Sequence, residues 1–277
     1  MPSVNGAIPK QLRFGWEMLF LSLCLAVQGL AGTNLEARIA IYGDTRGDNA
    51  THARVVKAIS TFSPDLVFHT GDLSTQGKSA DEFDAFKSVI KALGNAEFYP
   101  VRGNHERDEQ LFLSYFTQLC GSSRYVLERD SLVFIALDSS IGIKPGSEQL
   151  VWLQQQLSRH HDQPVILLVH HPVFSSGAHG DELGLGVWLP ALLENSSVKA
   201  VISGHEHSYE RSEYQGIPYL VSGGGGSPFR ETRNPNPYSR LFIISHHFII
   251  MDREGPVLKC RVFDPDLKLL DSFDIDL

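Results

Sequence analysis

Positive charge is scarce for a chain of this length: 24 lysines and arginines stand against 32 aspartates and glutamates, a formal net charge of −8 over 277 residues. A non-specific grip on nucleic acid needs a basic surface, so that role is excluded. Cysteine is scarce too, at three. One of them, Cys24, falls in an N-terminal segment set aside below. Cys120 and Cys260 either bridge or stay as two free thiols, since separation along a chain carries no information about distance. The apolar run at residues 18–27 holds Ser22 and Cys24 and is too short for a comfortable membrane span. No internal repeat or domain linker is visible. The glycine cluster at 223–226 lacks the Lys-Ser/Thr context of a P-loop and reads as close backbone packing or a flexible turn.

What remains is a globular composition, 42% hydrophobic and 20% charged, of a size for one large domain or two small ones. Lys10 and Arg13 flank the apolar run, and Gly29-Leu30-Ala31 offers small residues at an A-x-A-like cleavage site. Residues 1–31 therefore read as an export signal, or as an anchor if uncleaved. Residues 32–277 read as a single domain, exported to the periplasm or the exterior.

Within that domain, short apolar runs alternate with helical spacing and polar loops. Residues 38–42 are a strand that ends at Gly43-Asp44-Thr45-Arg46. A helix follows over 51–62, where Val55, Val56, Ile59 and Phe62 recur at helical spacing. Residues 66–69 are a strand ending at Asp72, and a helix over 81–92 stops at Gly94. Residues 98–101 are a strand ending in Gly103-Asn104-His105-Glu106. Strands at 124–128 and 132–137, a helix over 147–160 and a strand at 165–169 follow, the last ending in His170-His171-Pro172. After a helix over 183–193, a strand at 198–202 ends in Gly204-His205-Glu206-His207. The remainder reads as β at 219–221, 241–250, 257–263 and 268–275. Strand, loop and helix in succession imply a parallel sheet with helices on its faces.

Asp44, Asp72, Asn104-His105, His170 and His205/His207 each follow a strand, where open α/β sheets place ligands. A carboxylate able to bridge two cations, an amide oxygen and neutral imidazoles suit a two-metal site. His205 and His207 alternate along an extended segment, so they need not share one ligand sphere.

In order, spacing and strand context this set resembles the calcineurin-like metallophosphoesterase superfamily, whose motifs are D-x-H, G-D, G-N-H-[DE], H and G-H-x-H. The stretch His170-His171-Pro172-Val173-Phe174, with His179-Gly180 after it, is similar to the purple acid phosphatase branch, and Gly43-Asp44-Thr45-Arg46 to that branch's bacterial relatives. The resemblance implies a four-layer α/β/β/α sandwich of the metallophosphoesterase type and two metal ions drawn from Fe, Mn or Zn. Asp72 would bridge the ions, Asn104, His170 and His205 would complete the second site, and Asp44 and His207 would hold the first. His105 would act as an acid on the phosphoryl oxygens or the leaving group, and His179 would lie near the phosphate. The implied reaction is in-line attack of a metal-activated water on phosphorus.

Two departures bear on the first site. Arg46 stands where D-x-H has its ligand histidine, and a guanidinium is not a normal ligand. Thr75 stands where the purple enzymes have a tyrosine. The first ion is then left with Asp44, Asp72, His207 and water, and is expected to be weaker or exchangeable, without tyrosinate-to-iron colour. Arg46 contacts either substrate phosphate or a nearby acid such as Asp48. Asp138 reads as a turn cap, His246-His247 as part of a strand, and Arg230, Arg233 and Arg240 as solvated loop charges. The leading function is a phosphomonoesterase of the acid-phosphatase type on a small-molecule or nucleotide phosphate. The alternatives are a phosphodiesterase or nucleotidase on the same site, and a non-catalytic module that keeps one metal.

Overall fold

The computed structural model describes residues 37–230 and 235–277. The segment read as an export signal and Arg233 lie outside them. Two mixed sheets result. In the first, β1 (Ile39–Tyr42), β2 (Leu66–His69) and β3 (Glu97–Pro100) run parallel. The antiparallel strands β11 (Phe248–Glu254), β12 (Val257–Phe263) and β13 (Leu269–Asp276) extend that sheet beyond β1. In the second, β5 (Leu132–Leu137), β6 (Val165–Val169), β7 (Val198–Ser203) and β9 (Ile217–Ser222) are parallel. Antiparallel β4 (Tyr125–Arg129), β8 (Tyr209–Tyr214) and β10 (Ser239–Ile243) complete it.

Alternation along each strand builds the layers, because successive side chains leave opposite faces. Ile39 and Ile41 of β1 join Phe134, Ala136, Ile166 and Ile202 in the core between the sheets. Ala40 and Tyr42 face outward onto Val55, Val56 and Ile59 of helix α1 (Asn49–Ser60). On the far side, Val133, Ile135 and Leu137 of β5 meet Leu153 and Leu157 of α4 (Glu148–Arg159) and Leu189 of α5 (Leu185–Leu193). The α/β/β/α sandwich is thus written in which half of each strand goes inward. The parallel arrangement expected over residues 38–101 is found in β1–β3 and the expected four-layer sandwich is the fold, while each sheet as a whole is mixed because β4, β8 and β10–β13 pair antiparallel with their neighbours.

The run at 241–250 is two strands in different sheets. Its apolar residues look continuous, but Ser245-His246-His247 breaks the ladder where the His247 amide donates to the Gly224 carbonyl, and there the chain changes sheet. His246 and His247 therefore sit at a crossover, not inside a strand. Helix α2 (Ala80–Ile90) is where its spacing put it. Helix α3 (Glu109–Tyr115) was not anticipated. Seven residues give little periodicity, and its one signal was Asp108, whose side chain caps the Leu111 amide.

Candidate metal centre

Five turns converge at the C-terminal ends of β1, β2, β3, β6 and β7. Three hold a non-glycine residue in the left-handed region: Asp44 (φ 58°), Asp72 (φ 57°) and His205 (φ 69°). L-residues avoid that region. The local need is close approach. A β-carbon on Gly204 would fall 2.5 Å from Asp44 Oδ2, and one on Gly103 would fall 2.3 Å from Asp72 Oδ1. Backbone amides then fix the carboxylates: His205 N–H donates to Asp44 Oδ2 at 2.9 Å and His105 N–H to Asp72 Oδ1 at 3.0 Å.

Proton positions define the second site. His170 Nδ1 faces the Thr70 carbonyl at 2.8 Å, so it carries the hydrogen and Nε2 presents a lone pair. His205 Nε2 donates to Glu182 at 3.0 Å, which leaves Nδ1 bare. Around His170 Nε2 lie Asn104 Oδ1 at 3.0 Å, Asp72 Oδ1 at 3.3 Å and His205 Nδ1 at 3.3 Å. Four acceptors meet with no proton among them. Such a set repels itself in a buried site unless a cation sits at its centre. Glu182 behind His205 supplies the carboxylate that orients a ligating imidazole.

The first site differs. His207 Nδ1 is held by the Pro228 carbonyl, so Nε2 is bare. It lies 3.7 Å from Asp44 Oδ1, and both atoms are buried without a hydrogen-bond partner. That orphaned pair fits a metal. The third oxygen, Asp72 Oδ2, faces the Arg46 guanidinium, with Nε at 3.3 Å. Asp48 is not the partner of Arg46, because its carboxylate caps α1 through the Ala50 and Thr51 amides. Among the described residues, two groups bring ligand atoms within 4.8 Å of one another: Asp44, Asp72 and His170, and His171, Glu182 and His205.

Burial, then the Asp72 charge, raises the Asp44 carboxyl well above its ordinary range. Burial also raises Asp72, but His170, His105 and Arg46 outweigh it, and that carboxyl is lowered. Burial pushes the imidazoles down: His170 below its usual value, His207 to about 4, His171 to about 3, and His205 lower still. Neutral imidazole is the ligating form.

His105 points its Nδ1 at the Thr75 carbonyl, 2.6 Å away, and its Nε2 toward Asp72 Oδ2 at 3.8 Å. Its loop is braced from below by Glu106, whose buried carboxylate accepts from the amides of Asp72, Ser74 and Gly103. Arg102 adds a bond to the Glu106 carbonyl and an ion pair to Asp138 at 2.9 Å. Asp138 does cap a turn, through the Ser140 amide, and also steadies this loop. His179 lies beside His205, the rings tilted by 46° with centroids 4.5 Å apart.

Arg230, expected to be solvated, lies half-buried with Nη1 2.7 Å from His179 Nδ1 and 3.2 Å from the His205 carbonyl. Nothing in the local sequence marked it. Arg240 does stay exposed, beside Glu213. His171 bonds Ser139 Oγ through Nδ1 at 2.7 Å, and its ring centroid lies 4.4 Å from that of His205. His205 and His207 face different candidate sites, separated by two successive i→i+2 turns instead of an extended strand, with Glu206 N–H on Gly204 O and Ser208 N–H on Glu206 O. The glycine cluster packs closely: a β-carbon on Gly223 would fall 2.1 Å from the Glu206 carbonyl oxygen. Cys120 is an exposed free thiol and Cys260 a buried one.

A family model described as calcineurin-like phosphoesterase matches residues 37–209. A probable glycerophosphodiester phosphodiesterase GpdQ of Arcobacter nitrofigilis is 34% identical over 172 residues, 57% of this chain and 62% of that protein. A probable purple acid phosphatase of Arabidopsis thaliana is 28% identical over 239 residues, 74% of this chain and 56% of that protein. The chain spans less than two thirds of the length of these relatives. Among solved structures, the yellow lupin purple acid phosphatase PPD1 overlays with a TM-score of 0.73 at 20% identity, covering 87% of this chain and 53% of that one. The fold is therefore that of the metallophosphoesterases. Purple acid phosphatases stand in both sets, as the resemblance at residues 170–180 led us to expect.

Proposed function

Because the chain belongs to the calcineurin-like phosphoesterase family, we propose that it is a metal-dependent phosphoesterase acting on phosphate monoesters of small molecules or nucleotides. The observation that carries this reading is the proton-free cluster of Asp72 Oδ1, Asn104 Oδ1, His170 Nε2 and His205 Nδ1. Those four atoms would hold the second ion, and Asp44 Oδ1, His207 Nε2 and Asp72 Oδ2 the first. The mixed nitrogen and oxygen donors suit Fe, Mn or Zn. When bound, the ions activate water near neutral pH and neutralise charge developing on the phosphoryl group.

The chain's own residues do the rest. His105, with Nδ1 fixed on the Thr75 carbonyl, presents Nε2 to the site, and when protonated it donates to the departing oxygen. Asn104 is exposed and meets the phosphate while its oxygen serves the second ion. Arg46 and Arg230 approach from two sides, next to Asp72 and to His179. Two guanidiniums favour a dianionic terminal phosphate over a diester monoanion. A second reading, a phosphodiesterase, is favoured by the GpdQ relative. We further propose one catalytic domain over residues 32–277, exported through the segment at 1–31.

The test is hydrolysis of p-nitrophenyl phosphate and bis-p-nitrophenyl phosphate by the chain loaded with Mn, Zn or Fe, beside His105→Ala. The expected result is preference for the monoester and a kcat loss of about 10²–10³ in the variant, with metal content unchanged. Preference for the diester would select the second reading. Bound metal without turnover of either ester would favour the non-catalytic module.

A further inference from the structure

The residue between the two metal-facing histidines of Gly204-His205-Glu206-His207 is 1% exposed. The Glu206 carboxylate reaches the loop that carries His179. It accepts the amides of Ala178 at 3.0 Å and Gly180 at 3.1 Å, and that of His179 at still closer range. The same Oε1 lies 3.2 Å from His179 Nδ1. A β-carbon on Gly177 would fall 2.4 Å from Glu206 Cδ, so the loop closes on the carboxylate only because that position is glycine. A second buried carboxylate, Glu210, holds the preceding turn through the Ser176 amide and hydroxyl, both at 2.6 Å, and ties it to Asn236 Nδ2.

We infer that Glu206 is a positioning residue that sets His179 over the metal centre. An ionised carboxylate taking three amides forms charge-assisted bonds stronger than neutral ones, and inside the protein they are not screened by water. Its flanking residues face the ions, so one tight turn fixes both the ions' ligands and the loop that completes the site. Glu206 acts on substrate through His179, whose ring packs at a tilt against His205 and meets Arg230. This rests on the phosphoesterase reading for what His179 touches, but not for the loop contact itself.

The experiment is a double-mutant cycle with Glu206→Gln and His179→Ala in the metal-loaded chain. It reads KM for p-nitrophenyl phosphate, affinity for inorganic phosphate by calorimetry, and hydrogen exchange of residues 175–182. Each single variant is expected to weaken KM and phosphate affinity about tenfold, and the double variant about tenfold as well, because residues acting as one unit are not additive. Glu206→Gln speeds exchange at 175–182 and leaves metal stoichiometry unchanged. Gly177→Ala, which pushes the loop off an intact carboxylate, gives the same pattern and covers a failure of Glu206→Gln to fold. Effects that multiply to about a hundredfold, or unchanged exchange at 175–182, would overturn the inference. If the native chain turns over neither ester, the phosphoesterase reading falls, and phosphate affinity and exchange still decide the role of Glu206.

Discussion

The two halves of the candidate centre are built to different standards. The second site gathers four protein atoms, and both its imidazoles are locked from behind, by the Thr70 carbonyl and by Glu182. The first has two unpartnered atoms, Asp44 Oδ1 and His207 Nε2, and its third oxygen is shared with the Arg46 guanidinium. A cation entering there meets a positive charge already in place. Ligand number and local charge both favour the second site, so affinity should be divided unequally between two sites that share one aspartate.

Removing one imidazole from each side tests that inequality most severely. After dialysis, His207→Ala should retain one ion per chain, whereas His170→Ala should retain less than one, read by elemental analysis. Equal loss from both variants would break the comparison. Arg46→His, which restores the D-x-H spacing and removes the competing charge, should then tighten first-site affinity for Mn by about tenfold, or about 1.4 kcal/mol. The measurement is calorimetric titration, and an unchanged weaker site would show that Arg46 does not govern it.

The last test concerns two histidines away from both sites. Burial lowers His52 to about 3 and His247 to about 4. The unfolded chain binds protons near pH 6.5 and the folded chain does not, so their contribution is complete above pH 6.5 and is lost as pH falls through that value toward the folded pKa. At pH 5 the cost is about 2 kcal/mol for each. A metal-free Tm that stays flat between pH 7.5 and pH 5 would contradict it.

The positions of Asp44, Asp72, Asn104 and His170 were legible because each follows an apolar run whose end is a turn, and strand ends are where such sheets expose function. The helices α1, α2 and α4 were legible from spacing alone. The change of sheet after β10 was not, because an apolar run does not say which ladder it joins. Nor was the role of Glu206, since a residue between two ligands reads as filler until the fold brings the loop at 177–180 against it. Arg230 escaped for the same reason: its neighbours in space, His179 and the His205 carbonyl, lie 51 and 25 positions away.

The left-handed backbone at Asp44 and Asp72 bears on how this fold can change over evolutionary time. Each such turn costs an L-residue on the order of 1 kcal/mol, and asparagine tolerates it better than most. Asp→Asn at either position removes the charge while keeping the turn, and a single nucleotide change suffices to make it. Metal affinity can therefore be cut in one step, with two sheets and their buried faces left standing.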